Sequence, residues 1–338
     1  MAADAALALV ESRFQRTGQT GVTREDVLRE LDAAIPVFEE LGHEAGLARA
    51  LCVAGKLLVW NGEAALALEE FERSVRHARN AGDRTNEIES LRYMLIAMYR
   101  GPMSVDEALA RSVELRALGP PDRRFGIGWR TTCAALEAMR GGFDVARELL
   151  AQAGALAEEL GGTFVLDRQV APAAGEVELL AGESAAAVRE LRRVCDAFER
   201  DRELGYLASL ACHLGDALLA SGDDREAFDV TERWRADRLT VPEDVDAHVG
   251  WRRVRAKALA RLSEFDEAER LAREGVSMVS GTDMLPLRAD AQADLSQVLH
   301  LAGKLEEAET ARLEAIRLYK RKGNVVRAQA LADQPTTA

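Results

Sequence analysis

Apolar residues recur along this chain at helical spacing, and the stretches that carry them are cut at nearly equal intervals by short turns. Leu66, Phe71 and Val75, and later Ala268, Leu271 and Val276, mark stripes of the kind that an amphipathic helix buries on one face. The interruptions fall at Asn61-Gly62, Arg100-Gly101, Gly141-Gly142, Ala181-Gly182, Ser221-Gly222, Leu262-Ser263 and Ala302-Gly303. They define a period of about 40 residues, the range of stacked helical repeats. Glycine suits such a position because the residue after a helix C-terminus often turns left-handed, which costs a side chain energy.

After each turn a helix restarts on acidic residues around a small alanine: S-V-D-E-A-L-A at 104 to 110, F-D-V-A-R-E-L-L at 143 to 150, D-R-E-A-F at 224 to 228, F-D-E-A-E-R-L-A at 265 to 272 and L-E-E-A-E-T-A at 305 to 311. Ser104 and Glu107 have the spacing of a capping box, and acids in a first turn complement the helix dipole. The expected unit is helix, turn, helix. First helices are expected at 44 to 61, 83 to 100, 122 to 140, 166 to 181, 203 to 221, 245 to 262 and 285 to 302. Their partners are expected at 63 to 81, 104 to 118, 143 to 160, 184 to 200, 224 to 237, 265 to 279 and 305 to 322.

One such hairpin cannot bury its stripe alone, so neighbours must stack. The expected fold is therefore all-α, a right-handed superhelix of about seven hairpins over 44 to 322 forming one domain over 1 to 338. An Ala-rich helix at 2 to 16 and a partial unit at 23 to 41 precede the hairpins, and a capping helix at 324 to 332 follows. The longest link, 237 to 247, is the expected hinge. A 40-residue period lies in the HEAT and armadillo range, but acid-rich starts with a small packing alanine favour elongated tetratricopeptide units.

Composition narrows the function classes. Ala, Leu, Glu and Arg dominate and aromatics are 5% of the chain, which favours helix throughout. The net charge of -13 repels polyanions, so nucleic acid is not an expected partner. No stretch approaches the apolar length of a membrane span, and the first residues lack a basic secretory region, so a cytoplasmic protein is expected. The four cysteines include no C-x-x-C pair. Cys52, Cys133 and Cys212 each stand nine or ten residues before a turn glycine, which makes them small buried hydrophobes of one repeated slot.

Several segments, in order, resemble the helical C-terminal region of bacterial, mainly actinobacterial, regulators. In that family a class III adenylate or guanylate cyclase is joined to an AAA-type ATPase and then to tetratricopeptide-like repeats. The segments are A-I-P-V-F-E-E-L-G-H-E-A-G-L-A-R-A at 34 to 50, R-G-P-M-S-V-D-E-A-L-A-R at 100 to 111 and A-M-R-G-G-F-D-V-A-R-E-L-L at 138 to 150. Two more are P-E-D-V-D-A-H-V-G-W-R-R-V-R-A-K at 242 to 257 and I-R-L-Y-K-R-K-G-N-V-V-R-A at 316 to 328. The resemblance implies that nucleotide chemistry belongs to other domains, and this sequence contains no G-x-x-x-x-G-K-[ST] phosphate loop.

Candidate chemistry is sparse. His43, His77, His213, His248 and His300 are scattered over different units. Gly126-Ile127-Gly128-Trp129 has two of the three glycines of a dinucleotide fingerprint and no strand before it, and reads as a helix-start loop. No catalytic residue, cofactor or metal is expected. The sharpest departure is W-R-R-V-R-A-K at 251 to 257, four cations on one helix of an acidic chain.

Projected at 100° per residue, Trp251, Val254, Ala258 and Leu262 form the inward stripe and Arg255 falls within it. A desolvated cation needs a partner, so Arg255 either meets an acid of a neighbouring unit or opens onto the concave groove. Arg252, Arg253 and Lys257 read as a solvated face. The candidate partner-binding set is Trp129, Arg130, Trp251, Arg252 and Arg255, lining an inner groove for an acidic segment or an adjacent regulatory domain. The expected function is a non-catalytic protein-binding scaffold or sensor arm. A small-molecule or peptide receptor closed around a cavity is the alternative, and an enzyme or nucleic-acid binder is a third reading.

Overall fold

The computed structural model describes residues 24–119, 121–236 and 244–334, and among them every regular element is helical. A lone helix, α1 (Arg24–Glu40), precedes seven hairpins. Their first helices are α2 (Glu44–Trp60), α4 (Arg84–Arg100), α6 (Arg123–Met139), α8 (Ala171–Leu180), α10 (Leu204–Ser221), α12 (Val245–Arg261) and α14 (Leu285–Leu301). The second helices are α3 (Ala64–Ala81), α5 (Val105–Leu118), α7 (Phe143–Gly161), α9 (Ser184–Arg200), α11 (Asp224–Arg233), α13 (Phe265–Val279) and α15 (Leu305–Lys322), and α16 (Val325–Ala332) ends the array. The stretches 2 to 16 and 237 to 243, and with the latter the core of the expected hinge, lie outside the described residues.

Local rules explain the boundaries. The Ser104 side chain accepts from the Glu107 N–H while the Glu107 carboxylate accepts from the Ser104 N–H, so the capping box is formed. Gly62, Gly82, Gly182, Gly222 and Gly303 turn left-handed with φ between 67° and 85°, and Ser263 takes the same conformation at 68° where the sixth unit lacks the glycine. Gly101 differs. It is extended, and glycine is needed there because a Cβ would stand 2.7 Å from the Ala97 carbonyl and 2.8 Å from Ala64.

The buried stripe of α3 runs through Ala67, Phe71 and Val75, whereas Leu66, expected within it, is half exposed. Ala67 takes that place because a methyl allows the closer approach of α2 and α4, and Phe71 reaches under Gly55, where a Cβ would meet its ring at 2.5 Å. All four cysteines are buried and free. Burial pushes the Cys133 thiol up to about 11, consistent with a packing role. Gly126 to Trp129, expected as a loop, is the first turns of α6. Residues 166 to 170, expected as the start of a regular first helix, form a π-helical turn ahead of Pro172. Pro172 has no N–H for an ordinary helical bond, and π-turns accommodate such gaps. Arg168 stacks 3.8 Å from the Phe164 ring centroid and pairs with Asp201 at 2.5 Å and Glu203 at 3.1 Å, fixing that turn against the next unit.

The superhelix closes on itself. Asp283, between α13 and α14, accepts from the Ala64 and Ala65 amides at 2.8 Å each, capping α3 from 218 and 219 residues away. Lys322, the last residue of α15, is fully buried and donates to the Met98, Gly101 and Met103 carbonyls at 2.9, 3.0 and 2.7 Å. Burial pushes its amine down to about 7, opposed by Asp283. Arg100 meets Asp246 at 2.9 Å. A Cβ on Gly62 would meet Thr282 at 2.6 Å, and one on Gly323 would meet Val105 at 3.3 Å, so these turn glycines also serve a seam between the first two units and the last two.

Candidate functional site

Stacking of the fifth, sixth and seventh units brings their first helices side by side, and the residues that face one another there are charged. Lys257 on α12 donates to Asp216 on α10 at 2.6 Å and stands 3.0 Å from Asp294 on α14. Arg253, one turn before it, donates to Asp294 at 2.7 Å and lies 3.5 Å from Asp216 and 3.9 Å from Asp290. Arg327 on α16 reaches Asp290 at 3.4 Å, and the Tyr319 hydroxyl donates to the same carboxylate. Three carboxylates thus meet three cations, and the cluster is formally neutral.

Burial alone would raise the Asp216 carboxyl, but Lys257 and Arg253 hold it well below the usual carboxylate range. Asp290 is likewise raised by burial and lowered further by Arg327 and Arg253, so it too stays ionised. Tyr319 is pushed well up, by burial first and by Asp290 second. A second inner group joins α4, α8 and α10, where the Tyr99 hydroxyl donates to Glu176 at 2.8 Å and His213 approaches Glu176 at 3.4 Å.

Above the ionic cluster lies a cavity of about 670 Å³. Its walls come from the C-terminal ends of α8, α10, α12 and α14, closed off by α15 and α16. Leu179, Leu180, Leu219, Leu301, Leu305 and Leu331 are among its apolar lining, and Asp216, Lys257, Asp294 and Arg327 bring the ionic cluster to its wall. The other charged wall groups are also engaged: Arg312 donates to Glu309 at 2.7 Å and to the Leu331 carbonyl at 3.0 Å, and Arg261 to Asp224 at 2.8 Å.

The five residues singled out in the sequence fall elsewhere, in two separate groups, and none lines this cavity. Trp251 is 6% exposed, with its indole N–H donating to the Thr231 carbonyl at 2.8 Å. Arg255 donates to Glu232 at 2.9 Å and stacks 4.4 Å from the Phe228 ring centroid, the neighbouring-unit pairing expected as one of its two outcomes. Arg252 donates to Glu274 at 3.3 Å. In the third unit Trp129 donates to the Ser112 carbonyl at 2.9 Å, and Arg130 lies 5.7 Å from the Trp129 ring centroid with hydrogen bonds to Gln152 and the Gly126 carbonyl.

Arg253 and Lys257 overturn the solvated-face reading, being 5% and 8% exposed. A sequence signal for them existed: Asp290 and Asp294 form an acidic i, i+4 doublet 37 residues after the Arg253 and Lys257 doublet, close to one repeat.

A closed, right-handed superhelix of two-helix units around an inner face defines a tetratricopeptide-like solenoid. Among solved structures, the chain is similar to a Rap protein complexed with competence and sporulation factor, at 12% identity over 98% of this chain and 87% of that one, with a TM-score of 0.63. It is also similar to NprR in complex with its cognate peptide NprX, at 12% identity over 83% of each chain and a TM-score of 0.56. At such identities the likeness is one of fold. No protein-family model matches the chain, and no curated protein does.

Proposed function

We propose that this protein is a non-catalytic helical-repeat interaction module whose inner cavity takes a peptide or a segment of a partner protein. The observation that carries the reading is the cavity itself. It is walled by the first helices of four successive units and the C-terminal pair, and its 670 Å³ lies in the range of sites that enclose small ligands, about 300–1,000 Å³. The two similar structures support the same reading, since each holds its protein with a peptide or factor. The peptide-receptor form is therefore preferred to a flat scaffold.

The regulatory setting belongs to this proposal too. It rests on the resemblance of the segments at 34 to 50, 100 to 111 and 242 to 257 to the repeat arm of cyclase and ATPase regulators, and it places the module in the cytoplasm of a bacterium with any nucleotide chemistry on other domains. Binding of an acidic segment along Trp129, Arg130, Trp251, Arg252 and Arg255 would use a different surface.

Selection of a displayed random-peptide library on the intact protein tests the cavity. Peptides recovered on the wild type should weaken by about tenfold, or 1.4 kcal/mol, on Leu305→Asp and on Ala293→Trp. Leu305 opens α15 and is 43% exposed, so an acid there leaves the fold intact. Recovered peptides that bind both variants as tightly as the wild type, or a library that yields none, would overturn the reading.

A further inference from the structure

The chemistry of the cavity wall specifies the ligand more narrowly. Every formal charge on it is already matched within the protein: Lys257 by Asp216 and Asp294, Arg312 by Glu309, and, by acids just outside the wall, Arg327 by Asp290 and Arg261 by Asp224. A charged ligand group has no vacant counterion there. To gain one it must break a buried pair, and an uncompensated buried charge costs about 3–5 kcal/mol.

The side chains that remain unengaged are of another kind. Gln297 is half-buried in the wall, and among the described residues the side chains of Gln297, His300 and Gln334 make no hydrogen bond. An amide and an imidazole each offer a donor and an acceptor, the same pair that a peptide group presents.

A second observation points the same way. At the turns of the sixth and seventh units, Leu262, Phe265, Leu301 and Leu305 are each between 37% and 43% exposed. Phe265 and Leu305 are equivalent positions that open the second helices of adjoining repeats, whereas Leu262 lies in the turn and Leu301 ends its first helix; in the fifth unit the position of Phe265 and Leu305 carries Asp224 instead. An exposed apolar ledge therefore leads from the cavity mouth across two stacked units, and such ledges mark binding surfaces when they adjoin a pocket.

We propose that the cavity takes an uncharged, apolar peptide segment. Leucine-type side chains sit against Leu179, Leu219 and Leu331, a backbone amide group meets Gln297, and the chain continues over the ledge at Leu301 and Leu305 toward Phe265. This inference rests on the cavity reading above and adds the chemical class of its occupant.

Calorimetry on the full chain with three capped tripeptides decides it: N-acetyl-Leu-Ala-Leu-amide, N-acetyl-Glu-Ala-Glu-amide and N-acetyl-Lys-Ala-Lys-amide. The leucyl probe should bind at least about tenfold more tightly than either charged one, a difference of 1.4 kcal/mol. Its affinity should stay unchanged between dilute buffer and about 1 M salt, where the screening length falls to about 3 Å. Gln297→Leu should weaken it several-fold, and Leu305→Asp should abolish it, with the helical signal of both variants unchanged.

A charged probe that binds more tightly, with an affinity that falls in salt and is lost in Leu305→Asp, overturns the ligand class and leaves the cavity as the site. Retention of full leucyl-probe affinity in both variants overturns the placement. Absence of binding by all three probes overturns the ligand class, and the library selection then decides the cavity separately.

Discussion

At the scale of single residues, the inner ionic cluster is where substitution should cost most. Asp216 receives Lys257 at 2.6 Å and lies within reach of Arg253, and both cations are buried. Asp216→Ala leaves two buried cations sharing the remaining acids, so a loss of about 3–5 kcal/mol in chemical denaturation is expected. Exposed pairs such as Arg317 with Glu314 should contribute no more than about 1 kcal/mol. The cluster also sets the response to acid. The folded carboxyls of Asp216 and Asp290 lie below the ordinary aspartate value of about 3.9, so their stabilisation is present above that value and is lost as pH falls through the folded values. Thermal melts should therefore show a melting temperature that drops steeply below about pH 4. A melting temperature that holds steady into that range would show that the carboxylates are not held as described. Arg253 and Lys257 illustrate why such a cluster is hard to read from the chain: cations on a helix usually face water, and only the partner helix decides otherwise.

At the scale of elements, local caps and cross-chain caps separate cleanly. The Ser104 and Glu107 box at the start of α5 is legible because its donors and acceptors lie three residues apart. The start of α3 has no such signal, since Glu63 caps nothing and the two first amides are held by Asp283. Asp283→Ala should therefore cost about 0.5–2 kcal/mol, the range of an N-cap, and hydrogen exchange should quicken at residues 64 to 67, far along the chain from the change. Unaltered exchange at α3 would show that Asp283 does not cap it. The helix positions themselves followed from the repeat because turn glycines and acidic starts are local chemistry. The π-turn at 166 to 170 did not, because Leu166, Arg168 and Val170 suit an ordinary helix equally well.

At the scale of the whole molecule, closure of the ring distinguishes turns that look alike in sequence. Gly62 and Gly303 are both left-handed, at φ 79° and 77°. A side chain on either carries backbone strain of about 1–2 kcal/mol. Only at Gly62 would it also collide with Thr282 across the seam, while at Gly303 nothing lies within 4 Å. Gly62→Ala should thus lower stability more than Gly303→Ala and raise the radius of gyration in solution scattering. Equal effects of the two changes would mean that the seam does not hold in solution.

What the sequence by itself determined is the unit: helix, turn and helix at a period of about 40, with an apolar stripe that compels stacking. Those properties depend on residues within a few positions of each other. Only the tertiary structure decided that the stack closes and that Lys322 enters the end of α4. It also decided that three acids and three cations neutralise one another beneath a cavity, with Trp251 and Arg255 left to structural partners. The physical reason is that small rotations between units accumulate along a solenoid, so groups more than 200 residues apart meet or miss according to the sum of many packings rather than any one motif.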